Sequence, residues 1–145
     1  MKIGIVGGTG PLDRGIATRL AASGFEVYMG SREADKALKV VADLEDAVGP
    51  LDGKIKGTIN REAAEQGIVF IATPWEGAIA TVRSLSGELE GKPVVSTVNA
   101  LVRTGREFQS LLGPRGSIAG LIASALPRSM VVAAGHHLPA GKLCD

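Results

Sequence analysis

Ile3-Gly4-Ile5-Val6-Gly7-Gly8-Thr9-Gly10-Pro11-Leu12-Asp13-Arg14-Gly15 is the stretch that decides the fold. Residues 3–6 carry no polar side chain, as in a short strand buried on both faces of a parallel sheet. Gly7-Gly8-Thr9-Gly10 breaks the run. Residues 11–23 then read as a helix, with Ile16, Leu20 and their alanine neighbours at helical spacing and Gly24 as the stop. Gly8-Thr9-Gly10-Pro11-Leu12-Asp13 therefore lies where a phosphate-binding glycine fingerprint lies, between a strand and a helix. The first glycine of such a loop permits a tight turn and the second lets backbone approach a pyrophosphate. The helix start supplies free N–H groups and the positive dipole end. These six residues are the candidate pyrophosphate contacts.

Asp13 stands where the third glycine of the fingerprint belongs. That glycine normally lets helix and strand pack closely. Two readings stand side by side. The carboxylate is a tolerated variation, favourable toward the helix dipole by about 0.3–1 kcal/mol, or it competes with the ligand's phosphate. Arg14 is placed to neutralise it, and Gly15 to supply the close approach instead.

Outward from this core the strands and helices alternate. Strands are expected over 25–29 (ended by Gly30), 56–59, 67–73, 93–98 and 130–134. Helices are expected over 33–48, 61–66, 74–85 with Thr73 as N-cap, and 117–126. Residues 49–53 read as a loop, 103–116 as polar and irregular, and the last ten as loop. The fold class is α/β: a Rossmann-type, doubly wound parallel sheet of order 3-2-1-4-5-6, in one domain spanning 1–145.

Composition agrees. The 145 residues are 45% hydrophobic and 21% charged, with a net charge of +1. That balance lacks the basic footprint of a nucleic-acid partner. No run of about 18 apolar residues crosses a membrane and no signal peptide is evident, so a cytoplasmic location is expected. Cys144 is the only cysteine, which excludes an internal disulfide, and it reads as an exposed thiol.

The second strand ends in Gly30-Ser31-Arg32, without the acidic residue that binds an NAD ribose about 20 positions past the glycine loop. A hydroxyl, a guanidinium and Lys36 one turn later suit the 2′-phosphate of NADP(H). The alternative is a solvated serine beside surface cations. The fourth strand delivers Thr73-Pro74-Trp75-Glu76 to the same end of the sheet, with Trp75 at the mouth of the site or packed on its own domain. The fifth delivers Asn99, to bond a carboxamide or to stabilise a turn. The sixth delivers Gly135-His136-His137-Leu138-Pro139. Adjacent residues of an extended chain point to opposite sides, so the two histidines do not suit a metal site. One histidine facing the crevice suits a ring edge.

In series, Gly7-Gly8-Thr9-Gly10-x-Leu12-x-x-Gly15, Gly30-Ser31-Arg32 with Lys36, Thr73-Pro74-Trp75-Glu76 and Gly135-His136-His137-Leu138-Pro139-Ala140 resemble the NADP-dependent F420 oxidoreductases. The resemblance implies reversible hydride transfer between NADP(H) and the deazaflavin coenzyme F420. It implies Thr9, Gly10 and Leu12 at the pyrophosphate, and Ser31, Arg32 and Lys36 at the 2′-phosphate. Thr73, Pro74 and Trp75 would lie along the nicotinamide, and His136 and Pro139 would border the deazaflavin. It also implies a further, mostly helical region past this chain's end that closes the site and forms a homodimer, so an incomplete deazaflavin pocket is expected. Asp13 departs from the family fingerprint. The alternatives are a non-catalytic NADP-binding or regulatory module, and a reductase with another acceptor.

Overall fold

The computed structural model describes residues 1–49, 51–112 and 116–143. Six strands form one parallel sheet: β1 (Lys2–Val6), β2 (Glu26–Ser31), β3 (Ile55–Ile59), β4 (Ile68–Ile71), β5 (Pro93–Ser96) and β8 (Met130–Ala133). Their order is β3-β2-β1-β4-β5-β8. The expected order is thus found, with the sixth expected strand as β8. Two more strands among the described residues, β6 (Leu101–Thr104) and β7 (Glu107–Ser110), stand apart from this sheet.

Helices cover both faces. On one face lie α1 (Pro11–Ala22) and α2 (Ala34–Val48). Helix α2 buries Ala37, Val40, Val41 and Leu44, an i, i+3, i+4, i+7 stripe. Val40, Val41 and Leu44 of that stripe join Ile5, Val27, Met29 and Ile55 of the sheet in one core. On the other face lie α3 (Asn60–Ala64), α4 (Trp75–Ser84), α5 (Ser86–Leu89) and α6 (Ile118–Ala125). They bury Ala63, Ala78, Leu89 and Ile122 against Val6, Val69, Ile71 and Val94. Successive strand residues face opposite layers. Ile5 therefore serves the first core and Val6 the second.

Close packing depends on Gly4. A Cβ there would overlap the Ala63 carbonyl oxygen, so α3 rests directly on β1. Thr58 and Glu62 hydrogen-bond across the junction of β3 and α3.

Three expectations need correction. The polar stretch expected to be irregular contains an antiparallel hairpin, β6 (Leu101–Thr104) with β7 (Glu107–Ser110). Gly105, at φ +64°, takes the first central position of its two-residue turn, where a hairpin requires a positive φ. Every residue of both strands is exposed, so no buried face marks them in the sequence. The loop-like C-terminal stretch contains a 3-10 turn (Ala140–Leu143) docked on α1, where Arg19 Nε donates to the Leu143 carbonyl at 2.9 Å. A Cβ on Gly15 would overlap Leu143, so this glycine makes room for the C-terminal turn rather than for a strand. Finally, Thr73 is not a helix cap. Pro74 takes the N-cap of α4 in an extended conformation (φ −51°, ψ 144°). The thiol expected at Cys144 lies outside the described residues.

Candidate functional site

The glycine loop is tied down by hydrogen bonds to two other elements and by one within itself. Gly7 N–H donates to Asn60 Oδ1 at 3.0 Å. Gly8 N–H donates to the Gly30 carbonyl at 3.0 Å, and Thr9 N–H to the Gly7 carbonyl at 2.8 Å. Gly7 adopts φ +77°, and a Cβ on it would lie 2.7 Å from Thr73 Cγ2. Both the backbone conformation and the contact with β4's exit therefore require glycine. Gly8 packs inward against Ile5, 2.9 Å from the place of its absent Cβ.

Asp13 is 5% exposed and occupies the third residue of α1. Its Oδ2 turns back to accept the Gly10 N–H at 3.1 Å, the carboxylate half of a capping box. Burial pushes its carboxyl up to about 7, against the smaller opposing effect of the Gly10 N–H. Among the described residues no ion pair joins it to Arg14. Pro11 has no N–H, so Leu12 and Asp13 carry the N–H groups of this helix start that have no intrahelical acceptor.

At the carboxyl ends of the strands a cleft opens in two lobes. One, of about 430 Å³, brings together Thr9, Gly10, Pro11, Leu12 and Asp13 with Thr73, Pro74, Trp75 and Asn99. The other, of about 370 Å³, brings together Ser31, Arg32 and Lys36. Gly7, Thr9, Thr73 and Pro74 border both, so the glycine loop stands between them. Ser31 is buried and its Oγ accepts the Glu33 N–H at 3.4 Å, while Arg32 and Lys36 are exposed. Neither cation is in an ion pair among the described residues.

Trp75 is half-buried. It lines the first lobe and also packs against the core under α4, so both expectations for it meet in one side chain. Thr73 Oγ1 is buried without a hydrogen-bond partner among the described residues, an unsatisfied polar atom beside the cleft. Asn99 Nδ2 donates to the His136 carbonyl at 2.6 Å, which is the turn-stabilising role.

The sixth-strand segment borders this cleft without lining either lobe. His136 is exposed and lines a separate hollow of about 200 Å³ together with Asn99. Pro139 lines neither lobe. The two histidine rings do not point apart: they meet edge to face, 5.5 Å between centroids. The cause is a turn at 135–138, with Gly135 at φ +76° and Leu138 N–H donating to the Gly135 carbonyl, where an extended chain was expected.

Sequence reading missed Asn60, Gly77 and Thr81 as lining residues. Asn60 had a signal. It follows the third strand directly, the position that Ser31, Thr73 and Asn99 hold after or at the ends of their own strands.

The residues present fit a dinucleotide phosphate. A glycine turn, two free helix N–H groups, an unsatisfied hydroxyl and two cations converge on one bilobed cleft.

The family model for NADP oxidoreductase, coenzyme F420-dependent, matches residues 2–100. An F420-dependent NADP reductase of Methanocaldococcus jannaschii is 34% identical over 139 residues, covering 92% of this chain and 62% of that protein. One of Methanothermobacter marburgensis is 41% identical over 96 residues, covering 66% of this chain and 43% of that protein. The chain thus spans less than two thirds of the length of these relatives. The crystal structure of a putative F420-dependent NADP reductase from Arthrobacter sp. FB24 superimposes with a TM-score of 0.81 at 24% identity, over 97% of this chain and 64% of that one. This likeness concerns the fold.

Proposed function

The chain belongs to the coenzyme F420-dependent NADP oxidoreductase family, and from that premise we propose that it binds NADP(H) in the bilobed cleft for hydride exchange with coenzyme F420. The carrying observation is the cleft itself: the glycine loop stands between a lobe with Ser31, Arg32 and Lys36 and a lobe with Trp75 and Asn99. The loop and the Leu12 and Asp13 N–H groups would receive the pyrophosphate. Arg32, Lys36 and Ser31 would hold the 2′-phosphate. Thr73, Pro74 and Trp75 would flank the nicotinamide, one of the two rings between which the hydride passes. No side chain near this lobe need act as a nucleophile, since holding two ring systems in register supplies most of the catalysis. His136 and Pro139 would border the acceptor. A homodimer and a cytoplasmic location belong to the same proposal. Among the described residues no helix is long and apolar enough to cross a membrane.

Calorimetric titration with NADPH and NADH tests the cofactor. NADPH is expected to bind more tightly, and Arg32→Ala to remove a charge-assisted contact worth about 1.5–3 kcal/mol from NADPH alone. Equal affinity for the two cofactors overturns the proposal. Loss of the deazaflavin absorbance band or its return with NADP(H) tests the acceptor. A second reading, an NADP-binding module without catalysis, is favoured by the placement of His136 and Pro139 outside the cleft. It predicts NADPH binding with no change in that band.

A further inference from the structure

We infer that Asn60 is a specificity-determining residue of the cleft, holding the glycine loop with one end of its amide and donating to the 2′-phosphate of the ribose with the other. This rests on the NADP reading above. Gly7 N–H is a donor, so the amide atom facing it at 3.0 Å is the oxygen, which fixes the orientation of the side chain. The NH2 group is left as the free end. It has no acceptor among the described residues, and it is not among their buried unpartnered atoms, so it reaches solvent. Asn60 lines the lobe that holds Ser31, Arg32 and Lys36.

The fold is shaped around this residue. A Cβ on Gly30 would lie 2.9 Å from Asn60 Oδ1 and 3.0 Å from its Cα. The carbonyl of the same Gly30 accepts the Gly8 N–H. Gly7, Gly8, Gly30 and Asn60 thus form one hydrogen-bonded unit joining the loop after β1, the tip of β2 and the end of β3. An aspartate here would still accept from Gly7 but would present an anionic oxygen where asparagine presents donors. A serine would keep a short acceptor and present no NH2.

The experiment titrates the parent chain, Asn60→Asp and Asn60→Ser with 2′,5′-ADP and with 5′-AMP, alongside thermal melts. The parent is expected to bind 2′,5′-ADP more tightly than 5′-AMP. Both variants should lose 2′,5′-ADP affinity, by about tenfold or more for Asn60→Asp, as for a hydrogen bond to a charged group. Their affinity for 5′-AMP should change several-fold less. If Asn60→Asp does not fold, Asn60→Ser carries the same comparison. Equal loss of both probes would show that Asn60 only props the loop and overturns the inference, as would no loss of either. A parent that does not prefer 2′,5′-ADP overturns the NADP reading itself, and the inference with it.

Discussion

Asp13 shows how one substitution in a fingerprint is absorbed. The sequence placed a carboxylate where glycine is usual, and its two readings turned on where the side chain points. The folded chain turns it onto Gly10 N–H and buries it in the cleft wall. Charge there is costly. With a folded-state pKa of about 7 against an ordinary value of 3.8, the folded protein holds the proton more tightly than the unfolded chain between those values. Stability from this group is therefore complete below pH 4 and is lost as pH rises through about 7, by roughly 4 kcal/mol in all. Asp13→Asn keeps an acceptor for Gly10 and removes the titration. The variant should lose less stability than the parent between pH 4 and 8 in thermal melts. Parallel curves would mean that the carboxylate is solvated. By the same logic, Asp13→Asn should bind NADPH more tightly than the parent at pH 8 and about equally at pH 5, because only the ionised carboxylate repels the pyrophosphate. A titration at both values checks this.

At the scale of elements, the strongly patterned segments were legible and the contacts between them were not. The α2 stripe and the apolar runs of β1 and β4 announce their own burial. The seat of α3 on β1 does not, because nothing local to Gly4 says that the Ala63 carbonyl will arrive there. Gly4→Ala should displace α3 and destabilise the fold by about 1–3 kcal/mol, the range for overpacked cores. Urea unfolding measures it, and a change below about 0.5 kcal/mol would mean that the helix has room to yield. The effect should also reach the cleft, since Asn60 begins α3 and holds Gly7. The hairpin of β6 and β7 was illegible for a different reason: with both strands exposed throughout, neither carries the alternation that a buried face imposes.

At the scale of the whole molecule, one end of the sheet gathers residues from the tips of β1 to β5, and β8 delivers its histidines to one side of them. His136 shares a hollow with Asn99 but lies outside both lobes. His136→Ala should therefore leave NADPH affinity within about twofold while weakening coenzyme F420 binding, both by calorimetry. Equal loss for both ligands would make the histidine structural. Local pattern was enough to determine the strand order and the glycine loop. It was also enough to group Ser31, Arg32 and Lys36, because strand–turn–helix periodicity and right-handed crossovers leave few arrangements. Only the tertiary structure decided that Asp13 faces inward, that Asn60 clasps a glycine 53 positions away, that Gly15 seats the C-terminal turn, and that the histidines stand off the cleft. Each of these depends on where a partner distant in sequence comes to rest. That position is set by the packing of whole layers, which no local window of residues contains.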